Sequence, residues 1–218
     1  MSDPATRLSA ARAAIARAAK TARRDPSEIT LVAVTKRRSA ADIEALIAEG
    51  VADFGENRVA EAIEKWPDLR ARHADVRLHM IGQLQSNKAA EAVRLFDVVH
   101  SLDRPSLLRA LVVAGTEAGR FPSVYVQVNI GEEEQKGGVA IDGLGDFLHE
   151  VRASPLPLAG LMAMPPKGME PGPFFALLAK LARRHGVSGL SMGMSDDFAT
   201  AVMLGATAVR VGSALFDN

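Results

Sequence analysis

Eight short apolar runs, each followed by a stretch with helical signals, constrain the fold of this chain more than any other feature. The runs are Leu31–Val34, Ala52–Phe54, Leu78–Ile81, Val98–His100, Val124–Asn129, Leu158–Met162, Gly189–Ser191 and Ala208–Val211. Helical segments lie between them, at Ala40–Ala48, Arg58–Trp66, Lys88–Phe96, Pro105–Glu117, Leu144–Arg152, Pro173–His185 and Asp196–Leu204. Ser39 is placed to cap the first helix and Arg104-Pro105 to start the fourth, while Gly50, Gly119, Gly186 and Gly205 follow helix ends. Strands buried on both faces read as short apolar runs, and β alternating with α implies a parallel sheet. Eight such units favour a closed (β/α)₈ barrel of TIM type over a doubly wound sheet, which more often has about five or six strands. We read residues 1–218 as a single domain of this kind.

An extra helix precedes the first strand. Asp3-Pro4 reads as an N-cap with proline at the first helical position, and Leu8, Ala11, Ile15 and Ala18 share one face. Pro26 ends the segment, so residues 1–25 are expected to pack on the barrel as a helix of the mature protein rather than to act as a transit peptide.

Composition removes several function classes. Lys+Arg and Asp+Glu both count 26, so no net charge recruits nucleic acid or an anionic membrane. There are no cysteines, hence no disulfide or thiolate metal site. No apolar run approaches the ~20 residues of a membrane span. The five histidines lack metal-ligand spacing, and no metal is expected. A cytoplasmic protein is the expectation.

In a barrel the chemistry sits where strands end and loops begin. The first run ends in Thr35-Lys36, where the strand aims a lysine at the barrel top. Low-dielectric walls there would free the amine for a Schiff base with a carbonyl compound; the alternative is a snorkelling lysine at a strand end. Polar groups follow most other strands: Gly55-Glu56-Asn57, Gly82-Gln83, His100-Ser101 and Gln127-Val128-Asn129. Asn57 and Asn87 also suit helix caps. The last quarter offers Ser191, Gly193 and Ser195 after the seventh strand, and Gly212 and Ser213 after the eighth. Barrels commonly hold phosphate in those two loops, with close backbone approach at glycine and hydroxyl donors. Two Gly/Ser turns without a ligand are the other reading. A lysine amine and a phosphate cup in one mouth match the two ends of pyridoxal phosphate (PLP). Arg210 lies inside an apolar strand, on one face with Ala208 and Gly212. It either meets the pyridine nitrogen, which a permanently charged guanidinium would keep unprotonated, or forms a structural ion pair with a carboxylate such as Glu56.

The segments Val32–Lys36, Phe54–Asn57, His79–Lys88, His100–Arg104, Gly160–Met162, Leu190–Ser195 and Val209–Gly212 occur in order along nearly the whole chain. In them the chain resembles the pyridoxal-phosphate homeostasis family, which is alanine racemase N-terminal-domain-like. The resemblance implies a single alanine-racemase-like barrel, PLP fold type III. It also implies PLP as a covalent internal aldimine on Lys36, with Arg210 facing the pyridine nitrogen. Ser191, Gly212 and Ser213 are implied for the phosphate, and Asn57 and Met162 for the pocket lining. Arg58, Leu78, Arg38 and the stretch Pro165–Gly172 depart from the family's usual pattern, and the chain ends Phe216-Asp217-Asn218 without the usual glycine.

Two functions follow from the resemblance. One is a protein that binds, buffers and delivers PLP, with PLP-dependent apoenzymes as recipients and a monomer as the expected state. The other is a PLP-dependent amino-acid racemase. A racemase needs a base on each face of the substrate. The only tyrosine, Tyr125, lies early in a strand, at the wrong end for the barrel mouth. The carrier is therefore the preferred reading, without robust catalysis.

Overall fold

The computed structural model describes residues 4–216. In chain order the elements are α1 (Pro4–Thr21), β1 (Thr30–Val34), α2 (Ala40–Ala48), β2 (Asp53–Glu56), α3 (Val59–Arg72), β3 (Arg77–Met80), α4 (Ala89–Leu95), β4 (Val98–Leu102), α5 (Pro105–Ala118) and β5 (Ser123–Gln127). They continue with α6 (Leu144–Arg152), β6 (Leu158–Met162), α7 (Gly172–Arg184), β7 (Gly189–Ser191), α8 (Phe198–Met203), β8 (Ala208–Val211) and α9 (Ser213–Phe216). All eight strands are parallel and pair in sequence order, and β8 closes on β1 with Val32 opposite Arg210. The expected (β/α)₈ barrel is the fold.

Local chemistry explains the element ends. Ser39 and Asp42 form a reciprocal capping box at α2, each side chain taking the other's backbone N–H. Gly119 closes α5 in the left-handed conformation at φ 66°. Helix α3 runs past the Trp66 end expected from sequence, through Pro67 to Arg72. Proline removes the hydrogen bond to the Ile63 carbonyl. Both residues are on the exposed face of the helix, while Trp66 and Leu69 anchor the same helix in the core. Helix α8 starts at Phe198 rather than Asp196, because Asp197 turns its carboxylate back to the Met194 N–H at 2.6 Å. The Asp3 cap lies outside the described residues.

The core has two layers. Between the barrel and its helices pack Phe54, Trp66, Phe96, Phe175 and the aliphatic faces of the helices. Helix α1 adds Leu8, Ala11, Ile15 and Ala18 to this layer. The barrel interior is unusual in being polar. Asp53, His79, His100, Gln127, Ser191 and Arg210 are all buried. Strand alternation turns these side chains inward, since their neighbours Phe54, Leu78, Val126, Leu190 and Val209 belong to the outer core.

Candidate functional site

A cavity of about 740 Å³ opens at the end of the barrel where the strands terminate. Lys36, Asn57, Ser195, Arg210, Gly212 and Ser213 all line it. Three further residues expected from the sequence do not, and each has a physical reason. Met162 is fully buried at the end of β6. Gly193 is buried in the loop after β7, where φ is +91° and a Cβ would fall 2.5 Å from that of Ala201; it shapes the loop, and its carbonyl accepts from the Arg210 N–H at 3.0 Å. Ser191, implied for a phosphate, is fully buried, and its hydroxyl is engaged with Arg210 and His100.

Lys36 follows β1 in a turn and is exposed, not enclosed by apolar walls as the sequence suggested. Its ammonium has no ion-pair partner among the described residues. The turn itself is held tightly. Glu56, at the end of β2, is fully buried and its Oε1 accepts from Thr35 Oγ1 at 2.7 Å and Trp66 Nε1 at 3.0 Å. Lys65 of α3 pairs with the same oxygen at 2.7 Å and donates to the Thr35 carbonyl at 2.9 Å and the Arg38 carbonyl at 3.4 Å. Arg37 has φ 59°, and its N–H donates to Glu61. Glu56 is thus committed to Lys65, which removes the alternative of an Arg210–Glu56 ion pair.

Arg210 is buried and donates from Nη1 to Ser191 Oγ at 2.6 Å and from Nη2 to the Ala163 carbonyl at 3.3 Å. No carboxylate lies within ion-pair distance of it among the described residues. Burial pulls its pKa down to about 10, opposed by Asp197 and Tyr125, so it stays charged at neutral pH.

The loops after β7 and β8 meet at Ser195. Its Oγ accepts from the Gly212 N–H at 3.1 Å and the Ala214 N–H at 3.4 Å. Two backbone donors therefore converge on one oxygen at the cavity wall, which is what an anion requires. The Asn57 backbone packs against Gly82, where a Cβ would fall 2.2 Å from the Asn57 carbonyl oxygen. Asn57 is not a helix cap; Arg58 holds that position in α3.

The sequence reading missed Lys136 and Gln135, which reach the cavity from the loop after β5. Lys136 pairs with Glu133 at 2.6 Å, and Gln127 Nε2 ties this loop to β5 through the Gly137 carbonyl at 2.9 Å. No local pattern marks that loop. His79 and His100 come from the paired strands β3 and β4. They bond to each other at 2.9 Å inside the barrel, and Tyr125 stacks on His100 with ring centroids 4.5 Å apart.

Comparison with known proteins agrees with this geometry. The family described as alanine racemase, N-terminal domain, matches residues 7–217. The pyridoxal phosphate homeostasis protein of Pseudomonas aeruginosa is 40% identical over 225 residues, covering 99% of this chain and 96% of that protein. The protein of the same name from Deinococcus radiodurans is 41% identical over 219 residues, covering 99% and 100%. PipY of Synechococcus elongatus, solved with PLP bound, has a TM-score of 0.85 at 35% identity, over 98% of this chain and 100% of that one.

Proposed function

The chain belongs to the pyridoxal phosphate homeostasis protein family, and from that premise we propose that it binds PLP, buffers it and hands it on to PLP-dependent apoenzymes. The observation that carries this reading is one cavity lined by Lys36, by Arg210 and by the Ser195–Gly212 cluster of donors. Bound PLP supplies an aldehyde that an amine can capture and a phosphate that needs hydrogen-bond donors. In this reading Lys36 holds the aldehyde carbon covalently. The hydroxyls of Ser195, oriented by the N–H groups of Gly212 and Ala214, and of Ser213 would hold the phosphate, with Gly212 allowing close approach. Arg210 would face the pyridine nitrogen as a hydrogen-bond donor that keeps its own proton, so the nitrogen would stay unprotonated. Asn57 lines the same cavity. The proposed state is a monomer.

Amino-acid racemisation is the second reading. It asks for a base on each face of a substrate carbon. Tyr125 is held inside the barrel against His100, and the cavity lining contains neither tyrosine nor histidine among the described residues. That supports binding and delivery.

Delivery and racemisation are separated by one pair of assays on PLP-loaded protein. We expect it to reactivate an apo aminotransferase while solvent-deuterium exchange at Cα of common amino acids stays far below ~1 s⁻¹, the low end of ordinary enzymatic turnover. Exchange at or above that rate would make the protein a racemase. Slow exchange without reactivation would refute delivery.

A further inference from the structure

We infer that Asp53, at the far end of the barrel from the cavity, is a positioning residue for Arg210, acting through a one-way chain of hydrogen bonds inside the barrel. The links run from β8 through β7, β4 and β3 to β2. Arg210 Nη1 donates to Ser191 Oγ at 2.6 Å. Ser191 Oγ lies 2.8 Å from His100 Nδ1, His100 Nε2 lies 2.9 Å from His79 Nδ1, and His79 Nε2 lies 2.8 Å from Asp53 Oδ1. Arg77 completes the far end, 2.7 Å from the same carboxylate oxygen, where its own side chain is exposed. Asp53 also lines a second cavity, of about 330 Å³.

The direction of the chain follows from the chemistry of its members. A guanidinium only donates. Ser191 therefore accepts from Arg210 and has one proton left to place. It is fully buried, and His100 Nδ1 is the acceptor within reach. If His100 carried its proton on Nδ1, the Ser191 proton would be buried without a partner, a costly arrangement. His100 Nδ1 is therefore bare and its proton is on Nε2. That N–H donates to His79 Nδ1, which must be bare in turn, so the His79 proton is on Nε2 and points at Asp53. A carboxylate accepts only, and closes the chain. Every proton then points from Arg210 toward Asp53. Burial holds His100 well below the usual imidazole range, reinforced by His79 and Arg210, which keeps this link neutral.

The arrangement gives a buried cation a counter-charge at a distance. Arg210 is 4% exposed without an adjacent carboxylate, and an unpaired buried charge is expensive. Aligned hydrogen bonds polarise one another, so the Asp53 charge at one end strengthens the Arg210–Ser191 bond at the other. Removing that charge allows the chain to reverse and frees the guanidinium to shift in the cavity wall.

This inference rests on the proposed PLP site only in its second test. The first needs no cofactor. Histidine ¹⁵N NMR of the ligand-free protein should show both His79 and His100 protonated at Nε2 and bare at Nδ1. A proton on Nδ1 of His100, or an imidazolium at either residue at neutral pH, would overturn the chain. The second test compares Asp53→Asn and His79→Gln with the parent protein in a PLP titration. Both should bind PLP about fivefold more weakly or worse and shift the absorbance maximum of the bound form. Leu8→Ala, which loosens α1 without touching the chain, should move stability but not the spectrum. Unchanged affinity and spectrum in folded Asp53→Asn would overturn the positioning role. If the parent protein bound no PLP, the proposed function would fail while the NMR result still judged the chain. If neither variant folded, the parent tautomers would still decide its direction.

Discussion

Gly212 shows how much one residue decides at the cavity wall. A Cβ placed there would sit 3.3 Å from Val34 Cβ, and its N–H is one of the two that converge on Ser195. Gly212→Val should therefore crowd the donor cluster and weaken PLP binding by at least ~10-fold, about 1.4 kcal/mol. Thr116→Ala, on the exposed face of α5, should not change it; equal affinities in the two variants would argue against an anion site here. His100 sets a second prediction at this scale. Its folded-state pKa is depressed, by burial first and then by His79 and Arg210. In the unfolded chain it protonates near about pH 6.5. Below that pH the unfolded state takes up a proton that the folded state refuses, so stability must fall as pH falls, by up to ~1.4 kcal/mol per pH unit. Asp53 is different: burial raises its carboxyl, hydrogen bonds from His79 and Arg77 outweigh that, and its lowered pKa withdraws stability only in stronger acid. Urea unfolding between pH 6.5 and 5 should show a shallower slope for His100→Asn than for the parent, and identical slopes would contradict this account of His100.

The turn from Thr35 to Arg38 is shaped by elements other than the two it connects. It joins β1 to α2, yet β2 and α3 fix its shape through Glu56, Glu61 and Lys65. Lys65→Met should strand the fully buried Glu56 carboxylate and destabilise the fold by ~3–5 kcal/mol, since breaking one partner of a buried pair leaves an uncompensated charge. Glu56→Gln with Lys65→Met should recover much of that loss in chemical denaturation. A double variant as unstable as the single would mean that the pair is not the clamp. Such cross-element contacts mark the limit of what the sequence exposes. Strand and helix existence was legible from apolar runs and end signals, and α2 and α6 have the bounds expected from those signals. Strand depth was not. Ser191 and Ser195 are both serines near one strand end, but β7 has only three residues and places the first beneath the cavity floor and the second at its wall. Lys136 was invisible because nothing local tells which long loop folds back over the mouth. The chain from Arg210 to Asp53 was invisible because it needs the register of five strands at once, and the clue, polar residues inside apolar runs, has a separate plain explanation at each position.

At the scale of the whole molecule, the barrel's closure is what makes a site from scattered strand ends. Lys36 and Arg210 stand 174 positions apart in sequence, and pairing of β8 with β1 brings their strands side by side. The same closure buries a polar column where barrels usually stack branched aliphatic side chains. This links the cavity to the opposite face without any moving part. The proposed site depends above all on covalent capture of PLP at Lys36. It is tested most directly by reducing the PLP-loaded protein with borohydride and mapping the modified peptide. The account predicts a phosphopyridoxyl group on Lys36 alone, and no visible absorbance band or trapped adduct in Lys36→Ala. A band of undiminished strength in that variant, or an adduct confined to Lys136 or another lysine, would contradict it.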